Sequence, residues 1–261
     1  MVLAGRRGPD DPLARAAGAP HRALLDLDGQ PMLERVVETL EGTPAVQSIA
    51  ISIDEPDLLA GPAGGGLGDR IAQGNLALLP SESSPSRSVL AGLEALPADV
   101  PILVTTADHA LLTREMVEHF LTVAEATAAD LSLALVSESC IRDRFPETQR
   151  TYLPFRGERY SGANLFALRT PQARRAVEFW TRAEAFRKQP WRLVSVFGPT
   201  ALLLFLLRRL TLTSAMARAS RVIGAELSAV EMPFAEAAID VDKLADYELV
   251  KQILAVRGAA P

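Results

Sequence analysis

The chain has 261 residues, 48% of them hydrophobic and 23% charged, with a mean hydropathy of +0.14. That composition excludes a disordered or fibrous chain, and the length suits one large α/β domain or two small ones; a single domain spanning residues 1–261 is expected. The net charge of −5 is unevenly spread: residues 1–141 carry 8 Lys+Arg against 20 Asp+Glu, residues 142–192 carry 12 against 5, and the rest carries 7 of each. An acidic chain with one basic stretch is a poor general binder of nucleic acid, so no nucleic-acid partner is expected; the basic stretch can instead hold an anionic small molecule.

Strand-length apolar runs alternate with helical patterns over the first two thirds, which predicts an α/β fold with a mostly parallel sheet and crossover helices. Val2-Leu3-Ala4 reads as the end of a first strand, followed by a loop. Pro31–Leu40 reads as a helix with Met32, Leu33, Val36, Val37 and Leu40 on one face. Val46–Ile53 and Leu76–Leu79 read as strands, and Gly61–Gly68 between them as a surface loop. Ser86 opens a helix to about Leu96, and Pro101–Thr105 is a buried strand. Thr113 caps a helix to about Ala126, and Leu131–Val136 and Asn164–Leu168 are strands. Ser139–Gly162 between them reads as irregular. Pro171 begins a long helix, Thr200–Leu210 a buried or interfacial one, and Asp246–Val256 closes the chain.

The single cysteine, Cys140, reads as an inert core thiol; it permits no intrachain disulfide, and a reducing cytoplasm is the expected compartment. Leu193–Leu207 is apolar but is broken by Gly198-Pro199 and falls short of the ~20 residues of a membrane span. No span is expected, and peripheral membrane contact is left open.

The residues that point to chemistry begin at Leu3-Ala4-Gly5-Arg6-Arg7-Gly8. A strand running into a glycine loop with arginines can offer backbone N–H groups and positive charge to phosphates, and Arg22, after Pro20-His21, supplies a second cation. Asp108 lies at the carboxyl end of an apolar strand, where ligands bind in open α/β sheets; His109 beside it reads as an exposed loop histidine. Asp240 and Asp242 alternate along an extended segment, so both can face one cleft. Asp246 reads as a helix-start cap.

These segments, with Gly29-Gln30-Pro31-Met32-Leu33, Ser84-Pro85-Ser86-Arg87-Ser88 and Tyr160-Ser161-Gly162-Ala163-Asn164, resemble the MobA-like nucleotidyltransferases in order and spacing. Arg6 stands where that family has a second glycine and Arg22 where it has a lysine. The resemblance implies a Rossmann-like (GT-A type) three-layer sandwich with a mostly parallel central sheet flanked by helices, and an acceptor-side region with a helical insertion at 139–235. It implies transfer of a nucleotidyl group from an NTP, CTP or GTP foremost, to a phosphorylated small-molecule acceptor, with release of pyrophosphate. In roles carried over from the family, Gly5, Arg7 and Arg22 hold the triphosphate, with Arg7, Arg22 and Asp108 as the catalytic residues; Leu3, Ala4 and Arg6 also belong to the nucleotide-binding loop, and Ser86 and Ser88 contact base or ribose. Asp108 with Asp240 or Asp242 binds Mg²⁺, and Gly162 and Asn164 border the acceptor. Part of the basic excess at 142–192, among Arg142, Arg144, Arg150, Arg156 and Arg159, is then expected to face an anionic acceptor. Two other readings are a GT-A-type glycosyltransferase, for which Asp240-Val241-Asp242 supplies a D-x-D, and a catalytically weakened nucleotide-binding protein.

Overall fold

The computed structural model describes residues 1–6, 11–184 and 196–258. In chain order the elements are β1 (Val2–Leu3), α1 (Pro12–Ala16), β2 (Asp26–Leu27), β3 (Gln30–Pro31), α2 (Met32–Glu41), β4 (Ile49–Ile53), α3 (Leu67–Ala72), β5 (Leu76–Pro80), α4 (Pro85–Ala95), β6 (Ile102–Thr106) and α5 (Arg114–Glu125). They continue with β7 (Leu131–Ser137), α6 (Glu138–Arg144), β8 (Leu153–Pro154), β9 (Arg159–Leu168), α7 (Ala173–Ala183), α8 (Pro199–Leu206), α9 (Leu212–Ile223), β10 (Leu227–Glu231) and α10 (Leu244–Gly258). The fold is mixed α/β, with mostly parallel strands flanked by helices, as the sequence alternation predicts. The chain divides into two compact units. The first takes in the described residues within Met1–Ala95, Val104–Glu118 and Ile239–Pro261, the second those within Leu96–Leu103 and His119–Ala238.

In the first unit four strands run parallel in the order β6-β1-β4-β5, with Val2 opposite both Ile51 and Thr105. All five residues of β4 are buried, the pattern of a strand covered on both faces. Helix α2 buries the five apolar residues its spacing predicts; each such side chain removed from water contributes about 1.5–3 kcal/mol. Its entry is set by the β2–β3 hairpin, where Asp28 and Gly29 both take positive φ (58° and 79°). An Asp-Gly pair is suited to that two-residue turn. The turn closes on the Met32 N–H to Leu25 carbonyl bond, 2.8 Å.

The second unit has β10 parallel to β7, β9 antiparallel to β7, and β8 antiparallel to β9. The register of β7 against β9 slips between Leu133 and Leu135, so that Phe166 and Gly162 face consecutive alternate residues of β7. Asn164 sits in this bulge with φ 48°, a left-handed conformation that Asn tolerates better than most side chains.

Several expectations from sequence give way here. The segment after Gly8 contains helix α1, started by Asp11, whose carboxylate accepts from the Leu13 and Ala14 N–H groups ahead of Pro12. The fourth strand starts at Ile49, not Val46, and the strand ending at Leu168 begins at Arg159, so half of the supposedly irregular stretch is helix α6 and strand. Gly61–Gly68 is no plain surface loop. Gly64 is buried, and a Cβ there would lie 2.2 Å from the Leu59 carbonyl oxygen; the buried Glu34 carboxylate accepts from the Gly66 N–H at 2.8 Å. Cys140 is only partly buried and lies in the first turn of α6, and His109 is 1% exposed rather than on a surface loop. Helix α8 stops at Leu206, with Ala201 buried but Leu203, Leu206 and Leu207 exposed. The first part of the apolar run Leu193–Leu207 lies outside the described residues. Among the described residues no helix is long and apolar enough to cross a membrane.

Candidate active site

Strand β6 ends at Thr106, and the Ala107 N–H donates to the Leu3 carbonyl (2.9 Å), so the ends of β1 and β6 lie side by side. Asp108 follows directly. The Val241 N–H donates to the Asp108 carbonyl at 3.0 Å, which draws the C-terminal segment 239–242 across the strand ends. Alternation then does what the sequence predicts: Ile239 and Val241 are fully buried, while Asp240 and Asp242 turn toward Asp108. One carboxylate oxygen from each of Asp108, Asp240 and Asp242 lies within 4.8 Å of the others.

Like charges this close resist ionising together. The Asp108 carboxyl is pushed from 3.8 up to about 6, first by burial and then by the Asp240 carboxylate, with Asp242 adding to the effect. The Thr106 hydroxyl, 2.5 Å from Asp108 Oδ1, and the Arg22 guanidinium act in the opposite sense. A divalent cation relieves that repulsion. Three hard oxygen donors suit Mg²⁺, whose octahedral ligands at ~2.1 Å stand roughly 2.9 to 4.2 Å apart. The triad, with one oxygen from each carboxylate within 4.8 Å of the others, supplies the donor type such an ion takes. Asp246, four residues on, takes the structural role expected of it: its carboxylate accepts from the N–H groups of Asp242 (3.3 Å) and Lys243 (3.0 Å) at the start of α10.

Arg22 is the cation of this site. It lies in a single turn of 3₁₀ helix capped by the buried His21, whose Nδ1 accepts from the Ala23 N–H at 3.1 Å. Its Nη2 donates to the Val241 carbonyl (2.5 Å) and to Asp242 Oδ1 (3.1 Å), and Nη1 lies 3.3 Å from Asp11 Oδ2. The planar fork makes three contacts of diverging direction, which an ammonium on a single carbon cannot reproduce. Arg22 Nε is buried and makes no hydrogen bond.

The other predicted residues fall as follows. Leu3 and Ala4 are buried at the end of β1, where the Ala4 N–H is spent on the Ser52 carbonyl at 2.8 Å. Gly5 has a packing reason of its own: a Cβ there would meet Ser81 Oγ at 2.0 Å and Ser81 Cβ at 3.1 Å. Arg6 turns to acids, with its Nε 2.8 Å from Asp54 Oδ2 and its Nη2 bonded to Glu55. Asp54 also accepts from His21 Nε2 at 3.1 Å, so His21 links the two basic loops. Arg7 lies outside the described residues. Ser86 and Ser88 sit at the start of α4 but point inward; the Ser88 hydroxyl accepts from the Glu82 N–H at 2.8 Å, and Glu82, Ser83, Pro85 and Arg87 are the exposed residues of that turn. Gly162 and Asn164 belong to β9 of the second unit, where a Cβ on Gly162 would meet nothing within 4 Å. Sequence reading missed Asp11 and Asp54. The Asp-Pro helix start could have revealed the first; nothing local distinguishes the second.

Residues 1–142 match the model of the MobA-like NTP transferase domain. Among solved structures, a hypothetical transferase from Thermus thermophilus is 30% identical with a TM-score of 0.74, covering 95% of this chain and 100% of its own. CMP:2-keto-3-deoxy-manno-octonic acid synthetase, complexed with CTP, is 15% identical with a TM-score of 0.59 and 98% coverage of both chains. 4-Diphosphocytidyl-2C-methyl-D-erythritol synthase from Anaerococcus prevotii DSM 20548 is 12% identical with a TM-score of 0.58, covering 97% of this chain and 96% of its own. At those identities the last two bear on the fold alone. No curated protein sequence matches the chain.

Proposed function

The chain belongs to the family of MobA-like NTP transferase domains and is a nucleotidyltransferase; from that premise we propose that it transfers a nucleotidyl group from CTP or GTP to a phosphorylated small-molecule acceptor in a Mg²⁺-dependent reaction. An oxygen of the acceptor phosphate forms the new bond to the α-phosphorus, the bond from that phosphorus to the β-phosphate bridging oxygen breaks, and pyrophosphate leaves with the electron pair. The attacking phosphate is already ionised, so no side chain has to remove a proton. The demand on the protein is in-line positioning and neutralisation of charge.

The observation that carries this reading is the convergence of Asp108, Asp240 and Asp242 within 4.8 Å, with Arg22 at its edge. In the proposal the three carboxylates hold Mg²⁺, which when bound offsets the charge of the triphosphate. Arg22 contacts the phosphates, and its buried, unbonded Nε is the donor left over for them. Gly5 keeps the β1 loop tight against Ser81, where a side chain has no room. Arg6 is a weaker candidate than Arg22, because Asp54 and Glu55 already balance its charge. Base contacts are assigned to the turn that starts α4, and the acceptor to the neighbourhood of Gly162 and Asn164. CTP is favoured because it is the nucleotide in the printed name of the synthetase that shares this fold. The expected setting is cytoplasmic.

Pyrophosphate release tests the reading. The protein is incubated with each of the four NTPs, Mg²⁺ and a panel of phosphorylated sugars and alcohols. Release above background with one nucleotide and one acceptor class is expected, lost on chelation. Absence of both release and pyrophosphate exchange across the panel overturns the proposal.

A further inference from the structure

The second unit holds an open cleft of about 550 Å³, within the range of small-molecule sites, lined by Tyr152, Pro154, Phe155, Glu158, Arg159 and Arg208. Its chemistry is divided. The aromatic and proline walls are apolar, with Phe155 edge-on to Tyr160 at 6.1 Å between centroids. The cations are in excess. Arg142 and Arg159 both lie over the Tyr152 ring, at 5.9 and 5.2 Å, and both bond the single carboxylate of Glu138. Glu158 is the acid of the cleft, and its charge is met by the Ser139 hydroxyl (2.6 Å) and the Arg159 N–H (2.8 Å). The Tyr152 hydroxyl is buried and makes no hydrogen bond.

Arg208 is the unusual member. It follows helix α8 at the position where chains commonly turn left-handed, and it does so with φ 53°. Glycine is the usual residue there, and a side chain in that conformation costs on the order of 1 kcal/mol. Among the described residues Arg208 forms no ion pair. The turn is fastened to the cleft: the Leu210 carbonyl accepts from the Arg156 N–H at 2.8 Å. Immediately before Arg208 stand Leu206 and Leu207, 63% and 55% exposed. A strained, unspent guanidinium thus joins an aromatic cleft to exposed leucines.

We propose that this cleft binds an anionic amphiphile, a phosphate ester whose head lies between Arg208 and Arg159 and whose hydrocarbon chain lies along Leu206 and Leu207. The inference rests on the second unit alone and not on the transferase reading. Of the arginines expected to meet an anion, it uses Arg159 directly and Arg142 through Tyr152; Arg144 instead lies 3.8 Å from Glu236.

Calorimetric titration of the full chain, without nucleotide or Mg²⁺, with ethyl phosphate and hexyl phosphate tests it. Each methylene buried is worth about a threefold gain, so hexyl phosphate should bind at least about tenfold more tightly than ethyl phosphate. Arg208→Gly suits the left-handed backbone and should keep or raise the melting temperature while weakening hexyl phosphate at least about tenfold. The double variant Leu206→Ser/Leu207→Ser should erase the chain-length dependence. Sedimentation with phosphatidylglycerol vesicles, against phosphatidylcholine controls, identifies the source of the ligand: co-sedimentation lost in Arg208→Gly means a lipid headgroup, and none alongside tight hexyl phosphate binding means a soluble ester. No saturable binding of hexyl phosphate, equal binding by a folded Arg208→Gly, or no dependence on chain length overturns the proposal.

Discussion

Replacing Asp108 by Asn separates the electrostatic account of the carboxylate triad from a merely structural one. Asn keeps the shape and can still accept from the Thr106 hydroxyl, but it removes one of three converging charges. The folded state holds the Asp108 proton up to a pH of about 6, against 3.8 for the free carboxyl. Between those values the folded chain binds more protons than the unfolded one, so this group's contribution to stability falls as pH rises through that window. The full displacement corresponds to about 3 kcal/mol, and partial access of solvent to the triad reduces it to about 1–2 kcal/mol. Asp108→Asn should therefore be more stable than the parent by about 1–2 kcal/mol at pH 7.5, or about 3–6 °C in Tm, with the gap closing toward pH 4. Paired thermal and urea unfolding across pH 4–8 reads this, because contributions of groups distant from the triad cancel in the difference. Millimolar Mg²⁺ should stabilise the parent at pH 7.5 but leave Asp108→Asn unmoved. A less stable Asp108→Asn at pH 7.5, or a gap that does not change with pH, would refute the reasoning.

Three other substitutions follow from contacts already described. Arg22→Lys should lower kcat/KM for the NTP by about tenfold or more, since one ammonium cannot span Asp11, Asp242 and the Val241 carbonyl; a gain in pyrophosphate release would mean that Arg22 is a degraded lysine. Arg6→Ala should cost no more than about 1 kcal/mol in urea unfolding and raise the KM less than Arg22→Ala does, its charge being balanced by Asp54 and Glu55. Gly64→Ala should destabilise by about 2 kcal/mol or more, because the added methyl meets the Leu59 backbone rather than a side chain that could turn aside; a change under about 0.5 kcal/mol in urea would show that the segment is the plain surface loop its composition suggests.

The parts of this protein legible in its sequence are those written over short distances. The spacing of Met32, Leu33, Val36, Val37 and Leu40 fixes helix α2, and the alternation Ile239-Asp240-Val241-Asp242 fixes which side chains turn inward. What stayed hidden depends on partners far along the chain. Gly64-Gly65-Gly66 has a linker's composition, yet its conformation answers to Glu34 and Leu59, which no local pattern announces. Arg6 and Arg22 look equivalent as loop cations, and only the fold separates them by giving one to Asp54 and the other to Asp242. His109 reads as a loop residue because its neighbours are polar or small, whereas the Thr106–His109 turn folds it into the interior, 3.4 Å from the Thr105 hydroxyl.

The bond between Arg22 and the Val241 carbonyl joins residues 219 apart in sequence. A ribosome must therefore finish all of the second unit before the carboxylate corner of the first can close. Until residues 239–242 have emerged, Asp108 and Arg22 stand without the two other carboxylates, and the triad of a nascent chain is incomplete. On the proposed reading, nucleotide would stabilise only molecules in which this segment has found its place, and those cut short of Asp240 would be left to unfold at their unliganded rate.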